Sequence, residues 1–183
     1  MDDPRSRLAP YVMSDERLLW WGQPDPAKTF AAPDLFLIPF SVFWGGFAIF
    51  WMAAAATQGA ALFSLFGLPF VAIGLYFIFG RFVFKRRRKH QTTYGLTDRR
   101  ALVAIGPGSL SESPVQHQPI EQRRSRDGRH LNVIFGKSTN SWFAGPSLAN
   151  TGMEFFAQGS QPLGFYDVVD VSGLSDALRQ IRR

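Results

Sequence analysis

The sequence predicts a membrane α-helical hairpin followed by a small α+β domain, and three observations carry that expectation. From Leu35 to Gly80 there is no Asp, Glu, Lys or Arg. Six basic side chains and no acidic one then fall between residues 81 and 89. From Gln91 onward short alternating runs are punctuated by Gly and Pro, and the chain ends in a stretch of helical period. The mean hydropathy of −0.04 would suit a soluble protein, because it averages an uncharged block with polar flanks.

The chain has 183 residues, enough for one to two domains, with 20 basic and 14 acidic side chains. Residues 1–34 carry 4 basic and 6 acidic groups and residues 90–183 carry 10 and 8, so the excess of +6 arises between residues 81 and 89. Nucleic-acid binders spread Lys and Arg over a folded face. Here Arg81, Lys85, Arg86, Arg87, Arg88 and Lys89 abut an apolar segment instead. That placement reads as a topological anchor and lipid collar, and it argues against a nucleic-acid partner. The absence of cysteine excludes disulfides and thiolate chemistry. Met1–Asp34 does not resemble a cleaved signal peptide.

One crossing of about 30 Å of hydrocarbon takes about 20 apolar residues, so the uncharged block is long enough for two. It divides at Thr57-Gln58-Gly59 into spans of about 36–56 and 60–84. A connection that short holds no domain, so both flanks belong on one side, and the basic collar (85–90) makes that side cytoplasmic. Phe36, Phe40, Phe43, Phe47 and Phe50 form one stripe, read as a lipid-facing or packing surface. Gly46 and Ala53 on the first span, and Gly67 and Gly74 on the second, are expected to face each other. Pro39 is expected in a first helical turn, and Pro69 inside the second span, where it would kink the helix.

In the polar domain (91–183), Gln91–Leu96 and Arg100–Ile105 flank Thr97-Asp98-Arg99 as a strand–turn–strand unit. Gly106-Pro107-Gly108 breaks the chain. Val115–Ile120 is a third strand, weakened by Pro114 and Pro119. Asp127-Gly128 marks a tight turn into the strand Leu131–Phe135. Gly145–Gly152 reads as a loop, with Met153–Ala157 and Leu163–Tyr166 as further strands. Val171, Leu174, Leu178 and Ile181 share one helical face, capped by Asp170 or Ser172. Strands followed by one amphipathic helix suggest a small antiparallel barrel or sandwich closed by that helix. In the N-terminal segment (1–34), residues 17–22 read as an interfacial anchor or as a strand joining the C-terminal domain. Gly22 and Pro24 favour the strand.

Glu16-Arg17-Leu18-Leu19-Trp20-Trp21-Gly22-Gln23-Pro24 before the spans, and Tyr94-Gly95-Leu96-Thr97-Asp98-Arg99-Arg100 after them, resemble a bacterial membrane-anchored PH-like domain family. That family has an E-x-x-x-W-x-G-x-P segment and a Y-x-L-T-[ND]-x-R hairpin. Gly164–Asp170 leading into a helix is similar to how its domains close. The resemblance implies a PH-like β-barrel with a C-terminal helix, in a largely uncharacterised family whose suggested roles are assembly, oligomerisation or partner binding. It implies no catalytic residue. Phosphoinositide binding by some relatives uses a basic loop, and here the matching turn offers only Arg99 and Arg100 beside Asp98.

The chemical fragments are few. Gly136-Lys137-Ser138 lacks the preceding glycine of a phosphate loop, since position 131 is Leu131. His90, His117 and His130 share no metal-ligand spacing and are expected to be solvated. Asp167 and Asp170 read as a turn residue and a helix cap. The run Arg123, Arg124, Arg126 and Arg129 is a charged hairpin tip and the candidate contact for a partner or for anionic headgroups. The sequence thus predicts a non-enzymatic protein with no catalytic residue, cofactor or metal. It would sit in the bacterial inner membrane with both termini cytoplasmic, binding a membrane protein partner or itself. Anionic-lipid binding is the alternative. An enzyme built on a pocket joining Glu154, Asp167 and a histidine is the remote one.

Overall fold

In chain order the elements are β1 (Leu18–Gly22), α1 (Asp34–Thr57), α2 (Gly67–Gln91), β2 (Thr92–Thr97), β3 (Arg100–Ile105), β4 (Ser109–Pro114), β5 (Ile120–Arg124), β6 (Leu131–Phe135), β7 (Leu163–Val168) and α3 (Val171–Ile181). The structure, a computed structural model, describes residues 4–31, 34–57, 66–136, 150–152 and 162–181. The turn at Thr57-Gln58-Gly59 (beyond Thr57), the Met153–Ala157 strand, most of the Gly145–Gly152 loop and Lys137-Ser138 lie outside the described residues. The chain forms two compact units. A helical unit lies within Thr29–Lys85 and includes residues 150–152, and a sheet unit holds the other described residues.

In the helical unit α1 and α2 have 24 and 25 residues and are long and apolar enough to cross a membrane. Their facing surfaces are built on small side chains. A Cβ on Gly74 would lie 2.9 Å from the Gly45 Cα, and one on Gly67 would lie 3.1 Å from the Met52 Cβ. Gly67 and Gly74 therefore face α1 as expected, but Gly46 and Ala53 do not face α2, because both are exposed. The inner face of α1 is Leu37, Ser41, Gly45 and Ala48. All five phenylalanines of the stripe are exposed.

The two prolines exchange roles. Helix α1 begins at Asp34, so Pro39 lies inside it and leaves the Leu35 carbonyl without its donor four residues on. Helix α2 is described from Gly67, so Pro69 falls in its first turn, where an N–H has no intrahelical acceptor. The irregularity of α2 lies further along, in a π-helical turn at Tyr76–Gly80. Within it the Tyr76 hydroxyl donates to the Gly152 carbonyl at 2.6 Å.

The sheet unit holds two antiparallel sheets, β1-β2-β3-β4 and β5-β6-β7. Residues 18–22 are a strand: β1 pairs with β2, Gly22 opposite Tyr94 and Leu18 opposite Thr97. The whole apolar hairpin is therefore inserted between two neighbouring strands of one sheet. Val115–Ile120 is not the third strand. The chain turns through Gly106 and Gly108, both at positive φ, into β4, and β5 begins only at Ile120. Periodicity misses Ser109–Pro114 because it is a polar edge strand, mostly exposed. Among the described residues neither sheet closes on itself, so of the expected barrel or sandwich the structure shows two antiparallel sheets and no closed barrel.

Apolar burial holds the two sheets and α3 together. Phe165 stands 4.8 Å from Tyr94, 4.9 Å from Phe135 and 5.8 Å from Trp20, ring centre to ring centre. Leu174, Ala177 and Leu178 of α3 are buried in the same core. A second cluster places Leu8, fully buried, against Leu102 and Ala104. Each large side chain buried this way contributes about 1.5–3 kcal/mol against the entropy of ordering the chain.

Candidate functional site

Helical geometry sorts the basic collar. Arg81, Lys85 and Lys89 recur at intervals of four on α2 and are buried, whereas Arg86 and Arg87 are exposed and Arg88 is half-buried. Arg81 is 0% exposed and its Nη1 lies 2.5 Å from the Asp34 carboxylate. These two residues are the charges that bound the uncharged block at either end. Arg81 also stacks on Phe82, at 4.4 Å from its ring centre. Lys85 donates to the Thr29 carbonyl at 2.7 Å. Half of the predicted collar is therefore engaged inside the protein.

Lys89 belongs to the densest polar cluster of the sheet unit. Its Nζ donates to the Asp25 carbonyl at 2.9 Å, the Lys28 carbonyl at 2.6 Å and the Asp167 carboxylate at 2.6 Å, which uses all three of its protons. The other Asp167 oxygen is 2.9 Å from the Lys28 ammonium. Asp167 has φ of 56° and is 1% exposed, and its amide donates to Asn132 at 2.7 Å. The Asp25 amide in turn donates to the Asp167 carbonyl at 2.9 Å. His130 is not solvated as expected. It is buried with Nε2 at 2.9 Å from the Asp25 carboxylate. That hydrogen bond, helped by the Ala27 amide, holds the Asp25 carboxyl below its usual range. His90 and His117 are exposed, and among the described residues no three His, Asp or Glu side chains gather as metal ligands. With its carboxylate held by two ammonium groups, Asp167 acts as a structural clasp on residues 24–28.

The residues that carry the family resemblance find one another. Glu16, its side chain 2% exposed, takes two bonds from Arg100, at 2.7 Å from Nε and 2.8 Å from Nη2. Arg100 also bonds Glu112. Asp98 accepts from the Arg17 amide at 3.0 Å, and Thr97 Oγ1 closes the turn by accepting from the Arg99 and Arg100 amides. Trp20 fills the core and donates its indole N–H to Asp170 at 2.9 Å. Asp170 also caps α3 at the Gly173 amide, and these two bonds, the indole's first, keep its carboxyl below the usual range. Gly22 is required because a Cβ there would lie 2.5 Å from the Trp20 ring. The motif is thus the fastening of β1 onto the hairpin β2–β3.

The Arg123–Arg129 tip forms the edge of an open groove of about 500 Å³. Arg124 and Arg129 line it from the β5–β6 hairpin, and Arg179 lines it from α3. Arg123 instead pairs with Glu121 at 2.7 Å, and Arg126 is exposed outside the groove. Val169, 60% exposed, and Val171 supply an apolar strip, and Asp176 stands 3.5 Å from Arg179.

Sequence reasoning missed Lys28, Asp34 and Arg179 as partners in these clusters. It read Asp167 as a turn residue or, remotely, as part of an enzyme pocket with Glu154, which lies outside the described residues. The i, i+4, i+8 spacing of Arg81, Lys85 and Lys89 was the available signal that one helical face carries the buried charges. No protein-family model, curated protein or solved structure matches the chain.

Proposed function

We propose that the chain is a membrane-anchored, non-enzymatic interaction protein of the bacterial inner membrane, whose PH-like cytoplasmic domain binds a protein partner or a second copy of itself. The insertion of the apolar hairpin between β1 and β2 carries the reading. A segment whose two ends enter neighbouring strands of one sheet must leave and re-enter a membrane on the same face. The exposed basic residues Arg86 and Arg87 favour the cytoplasmic face. Two antiparallel sheets followed by one helix agree with the β-domain and C-terminal helix that the resemblance implies.

The Asp34–Arg81 pair supports the membrane reading physically. From Gly67 to Gly80 helix α2 offers 14 uncharged residues, only about 21 Å at 1.5 Å per residue. With Arg81 buried against Asp34, the outward face continues through Phe82, Val83 and Phe84 to about 27 Å, close to a bilayer core.

Cross-linking in intact bacterial cells, followed by purification in mild detergent, tests the reading. A partner or a defined oligomer should accompany the chain reproducibly. A chain that always runs as a lone monomer refutes it. Reporter fusions at residue 58 and at the C-terminus should report opposite sides, outside and inside. A second reading, contact with anionic lipid, is favoured by Arg86 and Arg87. Vesicle binding should then require anionic lipid and weaken with salt.

A further inference from the structure

We infer that the groove between the β5–β6 hairpin and α3 is where the partner docks, and that it takes an extended acidic protein segment with an apolar side chain between carboxylates. The inference rests on the partner-binding reading and adds the surface and the chemistry it recognises.

Three guanidinium groups line this groove and one carboxylate opposes them. Asp176 is engaged with Arg179, and the guanidinium groups of Arg124 and Arg129 have no carboxylate partner among the described residues, although the Arg129 amide donates to Asp127 at 3.1 Å. Some exposed arginines of this unit are matched, Arg99 to Asp15 at 2.5 Å and Arg123 to Glu121 at 2.7 Å, and others such as Arg17 and Arg126 are not. What sets Arg124 and Arg129 apart is that both line the same groove. Guanidinium binds carboxylate through two parallel hydrogen bonds, so Arg124 and Arg129 present a preformed receptor for acidic side chains.

The choice of peptide over phosphate follows from the remaining lining. A phosphate group favours donors converging on one point. The guanidinium groups here come from two separate elements, with exposed Val169 and half-buried Val171 along the same groove. Alternating charge and apolar surface in an open groove matches a chain that presents carboxylates with a hydrophobic residue between them. Exposed apolar area of this kind gains free energy when it is covered.

The test uses the full chain in detergent micelles and fluorescein-labelled twelve-residue peptides of alternating Glu and Val. Matched peptides of Gln and Val serve as comparison, and binding is read by fluorescence anisotropy. The Glu peptide should bind at low salt, weaken as salt rises, and lose about tenfold or more in affinity in Arg124→Gln/Arg129→Gln/Arg179→Gln. Arg86→Gln/Arg87→Gln/Arg126→Gln removes the same charge elsewhere and should leave binding within about twofold of the original. These substitutions are all at exposed positions, and a thermal melt confirms that each variant folds. Equal binding of Glu and Gln peptides, or equal loss in both triple variants, overturns the inference. Displacement of the peptide by micromolar inositol hexakisphosphate, through the same three arginines, overturns it in favour of a phosphate site. In cells, a groove variant that still retains the cross-linked partner undiminished sinks this inference alone. Absence of any partner from the unaltered chain sinks the wider reading.

Discussion

Asp167 shows at the scale of one residue how a turn position becomes the clasp of a domain. A carboxylate removed from water is costly unless charged donors replace the water, and Lys28 and Lys89 do so here. Asp167→Asn keeps a residue type that tolerates positive φ but leaves two ammonium groups facing a neutral amide. The expected loss of stability is about 3–5 kcal/mol, read by urea unfolding of the detergent-solubilised chain followed through Trp fluorescence. Adding Lys89→Met should recover part of it, and a loss under about 1 kcal/mol would show that the clasp is dispensable. Asp25 and Asp170 predict the acid limb. The His130 hydrogen bond to Asp25 and the Trp20 hydrogen bond to Asp170 hold both carboxyls below the usual aspartate range in the folded protein. The unfolded chain therefore takes up protons first, so their contribution is present above about pH 4 and is lost as pH falls through the folded values. Thermal melts from pH 6 to pH 3 should show the midpoint falling below about pH 4, less steeply in Asp170→Asn, whose amide oxygen still accepts the indole N–H.

Elements differ in how plainly the sequence announces them, and the difference is physical. Strand β6 and helix α3 were legible because burial alternates along them, which prints a period of two or 3.6 into the chain. Strands β2 and β3, buried on both faces, were legible from the Thr97-Asp98-Arg99 turn between them. β4 was illegible because Leu110 is its one apolar side chain besides Pro114, so Ser109–Pro114 has no apolar period to read. The existence of α1 was evident from its composition, but its rotation was not. A helix apolar all round carries little phase information, and Gly45 and Gly46 are equally small. The structure chooses Gly45. The chain has no cysteine of its own, so paired substitutions test that rotation cleanly. Met52→Cys with Gly67→Cys brings together positions whose Cβ atoms lie 3.1 Å apart, slightly under the usual disulfide range of about 3.5–4.5 Å. It should oxidise readily, seen as a mobility shift in a non-reducing gel. Gly46→Cys with Gly74→Cys should not, because a Cβ at residue 46 meets nothing within 4 Å. The reverse outcome would turn α1 by one residue.

The whole molecule is one sheet domain interrupted by a helical hairpin, and that topology sets which pieces are able to fold. The sequence placed the boundary of the polar domain at residue 91, since charge and period change there. The candidate site was less legible, because pairs such as Trp20 with Asp170 and Lys28 with Asp167 are separated by more than a hundred residues and leave no local pattern. A fragment of residues 90–183 lacks β1, the Trp20 ring in the core and the Lys89 partner of Asp167. Leu96, Val133 and Phe165 would then lose apolar cover worth several times about 1 kcal/mol, in a domain whose net stability is of order 5–15 kcal/mol. Excision of the hairpin should have the opposite result. The Lys85 ammonium lies 2.7 Å from the Thr29 carbonyl, so the ends at residues 29 and 85 are within one lysine side chain of each other. A six-residue Gly-Ser linker, with a root-mean-square span of about 13 Å, bridges that gap without strain. Replacing residues 30–84 with this linker should give a water-soluble protein with one cooperative thermal transition and Trp20 fluorescence shielded from iodide. The 90–183 fragment should show neither a cooperative transition nor dispersed amide proton resonances. If the fragment folds as cooperatively as the excised chain, β1 is an accessory strand and the hairpin is appended to a domain that does not need it.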